Sequence, residues 1–314
     1  MRIFLTGGLG CLGSNLIENF LMNENEILVV DNFSTSYPNL FDNVEGLEII
    51  EGNIFNKELL SNLFEKFKPE YVIHSAASYK NPDDWIEDCN TNIIGMCHLI
   101  ELSKKHNIKK FINFQTLLAY GRPLTLPIKE DHPNNPFTSY GISKNAAENY
   151  LLCSDIPAIS LRISNVTGAR LSIGPIPAFY KRLKNGLSCF CSDTYRDFLD
   201  IQDFLDLINL ILKSDVNSGI FNVGSGDVHS IKEIYDIVCD HFNIGSKEVK
   251  ILPPDNDDVN KIYLDITKTV KVFGWKPKFK FIETINRQLK WYDDHGVDRI
   301  YSHLKNENDN LKDD

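Results

Sequence analysis

The sequence predicts an α/β protein with a doubly wound parallel sheet, on the strength of two observations. Short apolar runs alternate with amphipathic stretches of helical period through the first half of the chain. Such alternation is typical of a parallel sheet covered by helices on both faces. The first apolar run also leads directly into the glycine-rich segment Gly7–Gly13, a strand–turn–helix pattern found at the edge of such sheets. The fold class is therefore a Rossmann-type sheet.

Each predicted element follows from local periodicity. Buried strands are predicted where four to six mostly apolar residues occur together, at Ile3–Thr6, Ile27–Val30, Leu47–Glu51, Tyr71–Ser75, Lys110–Gln115, Ala158–Ile163 and Gly219–Val223. Helices are predicted where apolar residues recur every three or four positions, at Leu12–Met22, Lys57–Phe67, Asn92–His106, Ser143–Cys153 and Ile231–Phe242.

The alternation breaks after Arg170, where Gly174-Pro175-Ile176-Pro177 is followed by shorter elements. We therefore expect a smaller C-terminal α/β lobe interleaved with the first domain. Residues 1–170 form the sheet domain, and 196–225 return to it. Residues 171–195 and 226–305 form the smaller lobe, and the polar residues 306–314 form a flexible tail.

Composition excludes several classes of function. The net charge of −10 argues against binding to nucleic acid, which requires clustered Lys and Arg. No apolar run approaches the roughly 18 residues of a membrane span. The seven cysteines are scattered without metal-ligand spacing, so the sequence predicts a reduced cytoplasmic protein with no metal site.

The glycine-rich segment predicts a dinucleotide site. Gly7, Gly10 and Gly13 would permit a tight turn, close approach of the backbone to a pyrophosphate and close packing of helix on strand. The helix that follows would direct free N–H groups at the phosphates. Asp31 ends the second strand, where a carboxylate meets the ribose hydroxyls and repels a 2′-phosphate. The predicted cofactor is therefore NAD rather than NADP.

A second pattern predicts proton transfer. Tyr140 and Lys144 are spaced one helical turn apart on one face. A free phenol has a pKa near 10, and a nearby ammonium would lower that value. Thr116, at the end of the fifth strand, offers a hydroxyl for the reacting oxygen of the substrate. We predict Tyr140, Lys144 and Thr116 as the catalytic residues.

Taken together, these motifs resemble those of the extended short-chain dehydrogenases/reductases, in the nucleotide-sugar epimerase/dehydratase family that includes the UDP-glucose 4-epimerases. The matching segments cover nearly the whole chain: Thr6–Gly13, Asp31–Thr35, His74–Ala77, Asn92–Gly95, Phe114–Gly121, Leu161–Gly168, Arg196–Phe198, Asp265–Lys268 and Gly274–Pro277. Similarity is greatest to the branch found in bacterial O-antigen and capsule gene sets.

The resemblance implies roles for individual residues. It implies cofactor contacts from Gly7, Gly10, Cys11, Leu12, Gly13, Asp31, Asn32, Asn53, Ile54, Ser75, Ala76, Ala77, Asn92, Tyr140 and Lys144. It implies substrate contacts from Lys80, Thr116, Asn165 and Arg196, of which Asn165 and Arg196 meet the diphosphate. It also implies a homodimer that pairs the helices predicted at Asn92–His106 and Ser143–Cys153.

The resemblance further implies the reaction. Leu117 and Leu118 follow Thr116 where a 4,6-dehydratase carries Asp-Glu, so dehydration is not expected. The expected activity is NAD-dependent epimerisation of a nucleotide-diphosphate sugar at C4 through a transient 4-keto sugar, in bacterial surface polysaccharide precursor synthesis. Two alternatives stay open: a 4-dehydrogenase/reductase that releases its cofactor, and a non-catalytic dinucleotide sensor or scaffold. The sugar and the base also stay open.

Overall fold

The computed structural model describes residues 1–36, 40–79, 81, 83–245, 248–255 and 258–297. A seven-stranded sheet forms its centre, and every neighbouring pair of strands in it is parallel. Numbered along the chain, its strands lie in the spatial order β11 (Gly219–Val223), β6 (Ala158–Ile163), β5 (Lys110–Thr116), β4 (Tyr71–His74), β1 (Arg2–Thr6), β2 (Glu26–Asp31) and β3 (Leu47–Glu51). The predicted parallel sheet is confirmed.

Helices cover both faces of this sheet. The helices are α1 (Cys11–Leu21), α2 (Lys57–Phe67), α3 (Trp85–Asp88), α4 (Gly95–Lys105), α5 (Ser139–Leu152), α6 (Pro175–Lys184), α7 (Ile201–Lys213), α8 (Ile231–His241), α9 (Thr267–Phe273) and α10 (Phe281–His295). Within β1, Ile3 and Leu5 join a core with α1 and α7, whereas Phe4 joins a second core with α2, α4 and α5. Because alternate residues of a strand point to opposite faces, a strand covered on both sides is apolar throughout.

Two helices begin four or more residues before their predicted starts, whereas α1 and α8 differ from prediction by no more than one residue at either end. The helix predicted at Ser143 begins at Ser139, because the hydroxyl of Thr138 accepts a hydrogen bond from the Gly141 N–H and caps an earlier turn. The helix predicted at Asn92–His106 begins at Trp85 and includes a π-helical segment, Cys89–Ile94, between α3 and α4. Period-based prediction assumes 3.6 residues per turn and does not detect such a segment.

A third core lies in the C-terminal part of the chain. Its side chains come mainly from α6, α8 and α10, and include Phe179, Tyr235 and Leu289. The short strands around it are β7 (Asn165–Thr167), β8 (Phe190–Ser192), β9 (Tyr195–Arg196), β10 (Phe198–Asp200), β12 (His229–Ser230), β13 (Lys250–Leu252) and β14 (Lys261–Ile262). β9 pairs with β12 and β14, whereas β10 pairs with β7.

The return of the chain to the main sheet is made by α7 and β11, which packs beside β6. The lobe boundaries themselves stay a prediction, and the predicted tail 306–314 lies outside the described residues. Within the residues that the structure describes, no helix combines the length and apolar character needed to cross a membrane.

Candidate active site

The site lies at the edge of the sheet where the parallel strands end. β1 leads into Gly7, β2 ends at Asp31, β4 leads into Ser75, and β5 ends at Thr116. Since parallel strands present their carboxyl ends at one edge, these segments converge on one crevice. The sequence motifs, which are up to about 140 residues apart, are thereby brought to one side of the molecule.

The glycine turn has no room for side chains at two of its positions. Gly7 has a φ of +65°, and a Cβ there would lie 2.6 Å from the backbone of Ala76. A Cβ at Gly13 would lie 2.4 Å from the carbonyl oxygen of Gly7. The turn therefore packs backbone against backbone, which seats the first turn of α1 directly over the end of β1.

The N-terminus of α1 is left open for an anion. Gly10 precedes the helix and supplies no side-chain cap, and no acidic residue lies in the first turn. The first N–H groups of a helix lack partners within the helix, and with the helix dipole they favour a negative ligand. An uncapped helix end behind a glycine turn fits a pyrophosphate, so these residues fit NAD.

Cys11 and Leu12 begin this helix. Burial raises the pKa of the Cys11 thiol to about 12, and its Sγ lies 3.4 Å from the carbonyl oxygen of Ala169. Leu12 packs against the core shared by α1 and α7. Both side chains pack against other parts of the protein, so Cys11 and Leu12 would contact a cofactor through their backbone N–H groups.

Asp31 joins β2 to the glycine turn. Its carboxylate accepts hydrogen bonds from the N–H of Leu9 at 2.9 Å, the N–H of Phe33 at 2.9 Å and the hydroxyl of Ser36 at 3.1 Å. The side-chain amide of Asn32 donates to that of Asn53 at 2.9 Å, which links the ends of β2 and β3. Asp31 thus has a structural task in addition to the ribose contact predicted for it.

The loop after β4 is fixed to β1 through Thr6. The Thr6 hydroxyl lies 2.8 Å from His74 Nδ1 and accepts from the Ala76 N–H at 3.3 Å, and the Ser75 N–H donates to the Thr6 carbonyl. Burial lowers the pKa of His74 well below its usual range, and the nearby Lys144 lowers it further. His74 is therefore neutral and holds the Ser75–Ala77 loop in place.

Asn92 connects that loop to α5. It lies in the π-helical segment and is fully buried. Its amide group accepts from the Ser78 N–H at 2.9 Å and donates to the hydroxyl of Ser143 at 2.9 Å. Nearby Ile54 fills the space beside Gly95, where an added Cβ would lie 2.6 Å from it. Asn92 therefore positions the first turns of α5, which carry Tyr140.

Tyr140 and Thr116 are brought together. Burial raises the pKa of Tyr140, and Tyr79 and Asp88 act in the same direction, whereas the Thr116 hydroxyl beside it lowers that pKa by less. The sequence predicted that the pKa of Tyr140 would be lowered. Among the protein side chains alone this prediction is wrong, because desolvation of the phenolate dominates.

Lys144 lies one turn after Tyr140 and is only 2 % exposed. Burial lowers its pKa to about 8, against an opposing effect of Glu148. The ammonium form therefore persists at neutral pH but is lost just above it. The carbonyl of Lys144 accepts a hydrogen bond from Gln115 at 2.7 Å.

Of the predicted substrate residues, Thr116 ends β5 in the main sheet, whereas Asn165 and Arg196 lie in the short strands β7 and β9. The side-chain amide of Asn165 donates to the carbonyl of Asp197 at 3.0 Å. Arg196, in β9, forms an ion pair with Asp258 and donates to the carbonyl of Tyr195 at 2.9 Å. Lys80 lies outside the described residues.

Two residues that sequence reasoning missed complete the arrangement. The side chain of Gln115 accepts from the Thr116 N–H at 2.8 Å while donating to the Lys144 carbonyl, so it fixes both catalytic segments relative to each other. Ser143 receives the hydrogen bond of Asn92. One signal for each of these residues was present in the sequence. Gln115 directly precedes Thr116, and Ser143 directly precedes Lys144.

Known proteins match this chain over most of its length. Residues 3–224 match the model of the NAD dependent epimerase/dehydratase family. A putative UDP-glucose 4-epimerase of Methanocaldococcus jannaschii is 32% identical over 308 residues, covering 92% of this chain and 97% of the relative.

Solved structures show the same likeness. The enzyme WbmG of Bordetella bronchiseptica, crystallised with NAD, is 53% identical with a TM-score of 0.92, covering 97% of this chain and 98% of that one. A crystal structure of WbmG also contains NAD and UDP. The UDP-glucose 4-epimerase of Thermotoga maritima, crystallised with UDP-glucose, is 28% identical with a TM-score of 0.86, covering 94% of this chain and 99% of that one.

The fold and the site thus define an NAD-dependent enzyme on a Rossmann-type sheet. The chain belongs to the NAD dependent epimerase/dehydratase family. The resemblance noted in the sequence, the prediction of an epimerase and the choice of NAD are confirmed. The roles of the individual site residues stay predictions.

Proposed function

We propose that this enzyme inverts C4 of a UDP-sugar and retains its NAD through each turnover. The observation that carries the proposal is that Tyr140 lies beside Thr116, with Lys144 one turn away on α5, at the sheet edge that carries the glycine turn. UDP in WbmG and UDP-glucose in the Thermotoga maritima enzyme favour uridine as the base.

The chain's own residues divide the task. The glycine turn and the N-terminus of α1 would hold the pyrophosphate, and Asp31 the ribose. NAD, when bound, would supply a hydride acceptor and donor. Lys144, as an ammonium, would hold the nicotinamide ribose and favour the phenolate of Tyr140. Tyr140 would then take the proton of the C4 hydroxyl at its own oxygen and later return it, with Thr116 orienting the sugar.

The residues after Thr116 favour epimerisation over dehydration. Leu117 is buried in an apolar cluster with Tyr120, Ile128 and Leu264, and Leu118 packs against that cluster. Neither side chain can transfer a proton. An enzyme that removes water needs an acid and a base beside the sugar, and these two positions supply neither.

Asn165 and Arg196 would bind the diphosphate. Arg196 has a cationic group that is mostly buried and held in one orientation by Asp258 and the carbonyl of Tyr195. A held guanidinium is suited to an anionic ligand because little side-chain entropy is lost on binding. Lys80 would add a second cation.

A second copy of this chain would pack on α3 and α5. Trp85 and Ile86 on α3, and Ile142 and Tyr150 on α5, are all more than half exposed. α3 and α5 are neighbours, linked by a hydrogen bond from Ser139 to Asp88 at 2.6 Å. The cytoplasmic location and the role in surface polysaccharide synthesis stay predictions from the sequence.

A panel of UDP-, dTDP-, GDP- and CDP-sugars tests the activity. We expect one or more UDP-sugars to convert to their C4 epimers by NMR, without added NAD and without accumulation of NADH. Stoichiometric NADH would indicate the oxidoreductase alternative instead. A purified protein that carries no NAD and converts no sugar would contradict the proposal.

A further inference from the structure

Helix α5 carries three ionisable side chains that follow one another at intervals of one turn. Tyr140, Lys144 and Glu148 are spaced by four residues, which places them on one face of the helix. Glu148 is fully buried. A carboxylate without access to water is stable only when cations and hydrogen-bond donors surround it, so its partners identify its task.

The partners of Glu148 come from β6. Arg162 donates to both carboxylate oxygens, with Nη2 2.7 Å from Oε2 and Nε 3.3 Å from Oε1, and Ser160 donates to Oε1 at 2.7 Å. Arg162 is itself only 3 % exposed and lies over the ring of Tyr120 at 4.6 Å. This buried, two-pronged ion pair fixes the middle of α5 on the sheet.

Glu148 also faces Lys144, one turn earlier on the helix. It opposes the effect of burial on the pKa of Lys144. From β4, His74 faces the same ammonium but is neutral. Arg162, on β6, forms an ion pair with Glu148. Asp88, on α3, raises the pKa of Tyr140. Among the described residues that affect Lys144, Glu148 is thus the group whose charge favours the ammonium.

We propose that Glu148 is a positioning residue for the reaction: paired with Arg162 it fixes the face of α5 that carries Tyr140, and its negative charge keeps Lys144 an ammonium. The proposal rests on the proposed function, because it assumes that the cationic form of Lys144 is the active one. Glu148 touches neither substrate nor cofactor and acts through Lys144.

The pH profile of the Glu148→Gln variant tests the effect on turnover. In the native enzyme, kcat should fall as the pH rises through about 8, where the Lys144 ammonium is lost. Without the carboxylate the pKa of Lys144 falls, so this alkaline limb should move to lower pH by about one unit. A purely structural role would lower kcat without moving the limb.

Glu18→Gln is the matched control. Glu18 forms a similar two-pronged ion pair with Arg170, at 2.9 Å for both oxygens, on α1. Its loss should leave the alkaline limb where it is in the native enzyme. If Glu148→Gln does not fold, Glu148→Asp replaces it, because it keeps the charge but retracts it from Lys144. An unmoved limb in the variant that folds would overturn the proposal.

A double-mutant cycle gives a readout without turnover. The unfolding midpoints in urea are compared for the native chain, Glu148→Gln, Lys144→Met and the double variant at pH 7. Glu148→Gln should lower the midpoint less when Lys144 is already Met, because no ammonium then loses its anion. Equal losses in both backgrounds would refute the coupling. If the native chain converts no nucleotide sugar, the proposed function fails while this cycle still tests the coupling.

Discussion

The acid–base chemistry of the site depends on where single side chains are buried. The phenol of Tyr140 is surrounded by Tyr79 and Asp88, which disfavour its ionised form, and by Thr116, which favours it. A base that must lose its proton in such surroundings depends on the cation at Lys144.

The substitution Tyr140→Phe removes the proposed base and little else. The ring keeps its packing against Tyr79, whose centroid lies 6.3 Å away, so the fold and NAD binding should persist. We expect kcat to fall by roughly 10²–10⁴-fold, the usual contribution of general acid–base catalysis. Conversion of the sugar is followed by NMR, and retained NAD is measured after denaturation of the protein.

Tyr71→Phe is the control for this substitution. Tyr71 begins β4, at the end of the strand opposite to the site. Its hydroxyl should be dispensable for turnover. Substantial activity in Tyr140→Phe would show that another group takes the proton.

At the scale of residues, motif spacing predicted which groups meet but not what surrounds them. The helical spacing placed Lys144 one turn after Tyr140, and the strand end placed Thr116 at the carboxyl edge of the sheet. The rise in the Tyr140 pKa did not, because it depends on desolvation by residues far away in the sequence. Gln115 was equally hidden, since its two hydrogen bonds exist only once β5 and α5 are packed together.

At the scale of elements, two glycines of the turn are needed for different reasons. Gly13 is required by the packing of the backbone, whereas Gly10 leaves space for a ligand. An alanine at Gly13 would place its Cβ 2.4 Å from backbone atoms that cannot move aside. An alanine at Gly10 would meet its nearest neighbour, the Gly7 carbonyl oxygen, at 3.5 Å, an ordinary contact at a φ of −68°.

We therefore expect opposite outcomes for the two substitutions. Gly13→Ala should lower the free energy of unfolding by roughly 1–3 kcal/mol, the usual effect of overpacking. Gly10→Ala should leave the melting temperature of the NAD-free protein unchanged but reduce NAD binding, because the methyl group lies at the open end of α1. Calorimetric melting and titration with NAD measure the two effects. Unchanged NAD affinity in Gly10→Ala would contradict the placement of the pyrophosphate.

The bounds of helices and strands were predicted well where the apolar periodicity is regular. They were predicted less well where a capping side chain determines the first residue of a helix. The predicted bounds of β3, α2, β6 and β11 match the structure residue for residue. α5 starts four residues early because of a side-chain cap at Thr138, and the helical stretch from Trp85 starts before its apolar pattern does. Polar caps and π-helical turns give weak signals in a single sequence.

At the scale of the whole molecule, β-α alternation was sufficient to predict the sheet but not the second lobe. The lobe core depends on contacts between α6, α8 and α10, which are separated by long stretches of chain. Its small sheets pair strands of two or three residues, such as β9 with β14, that no local pattern indicates. Arg196 was found by its motif, whereas its partner Asp258, 62 residues further along the chain, was indicated by no local pattern.

The exposed apolar side chains on the neighbouring helices α3 and α5 lead to a prediction about assembly. Isolated exposed apolar residues are common on monomers, but a group on one face marks an interface. Ile142 and Tyr150 are 51% and 57% exposed on α5, two turns apart. A stable dimer buries about 1,200–2,000 Å², and two charged residues at its centre would oppose it.

The double variant Ile142→Glu/Tyr150→Glu should therefore sediment as a monomer, whereas the native chain should sediment with twice the mass of one chain. Ile251→Glu is the control, because Ile251 is 54% exposed on β13, away from α5. It should leave the native mass unchanged. Sedimentation equilibrium at several protein concentrations measures all three proteins. A native chain that is monomeric throughout, or a double variant that keeps the native mass, would show that this face of α5 does not hold a second copy.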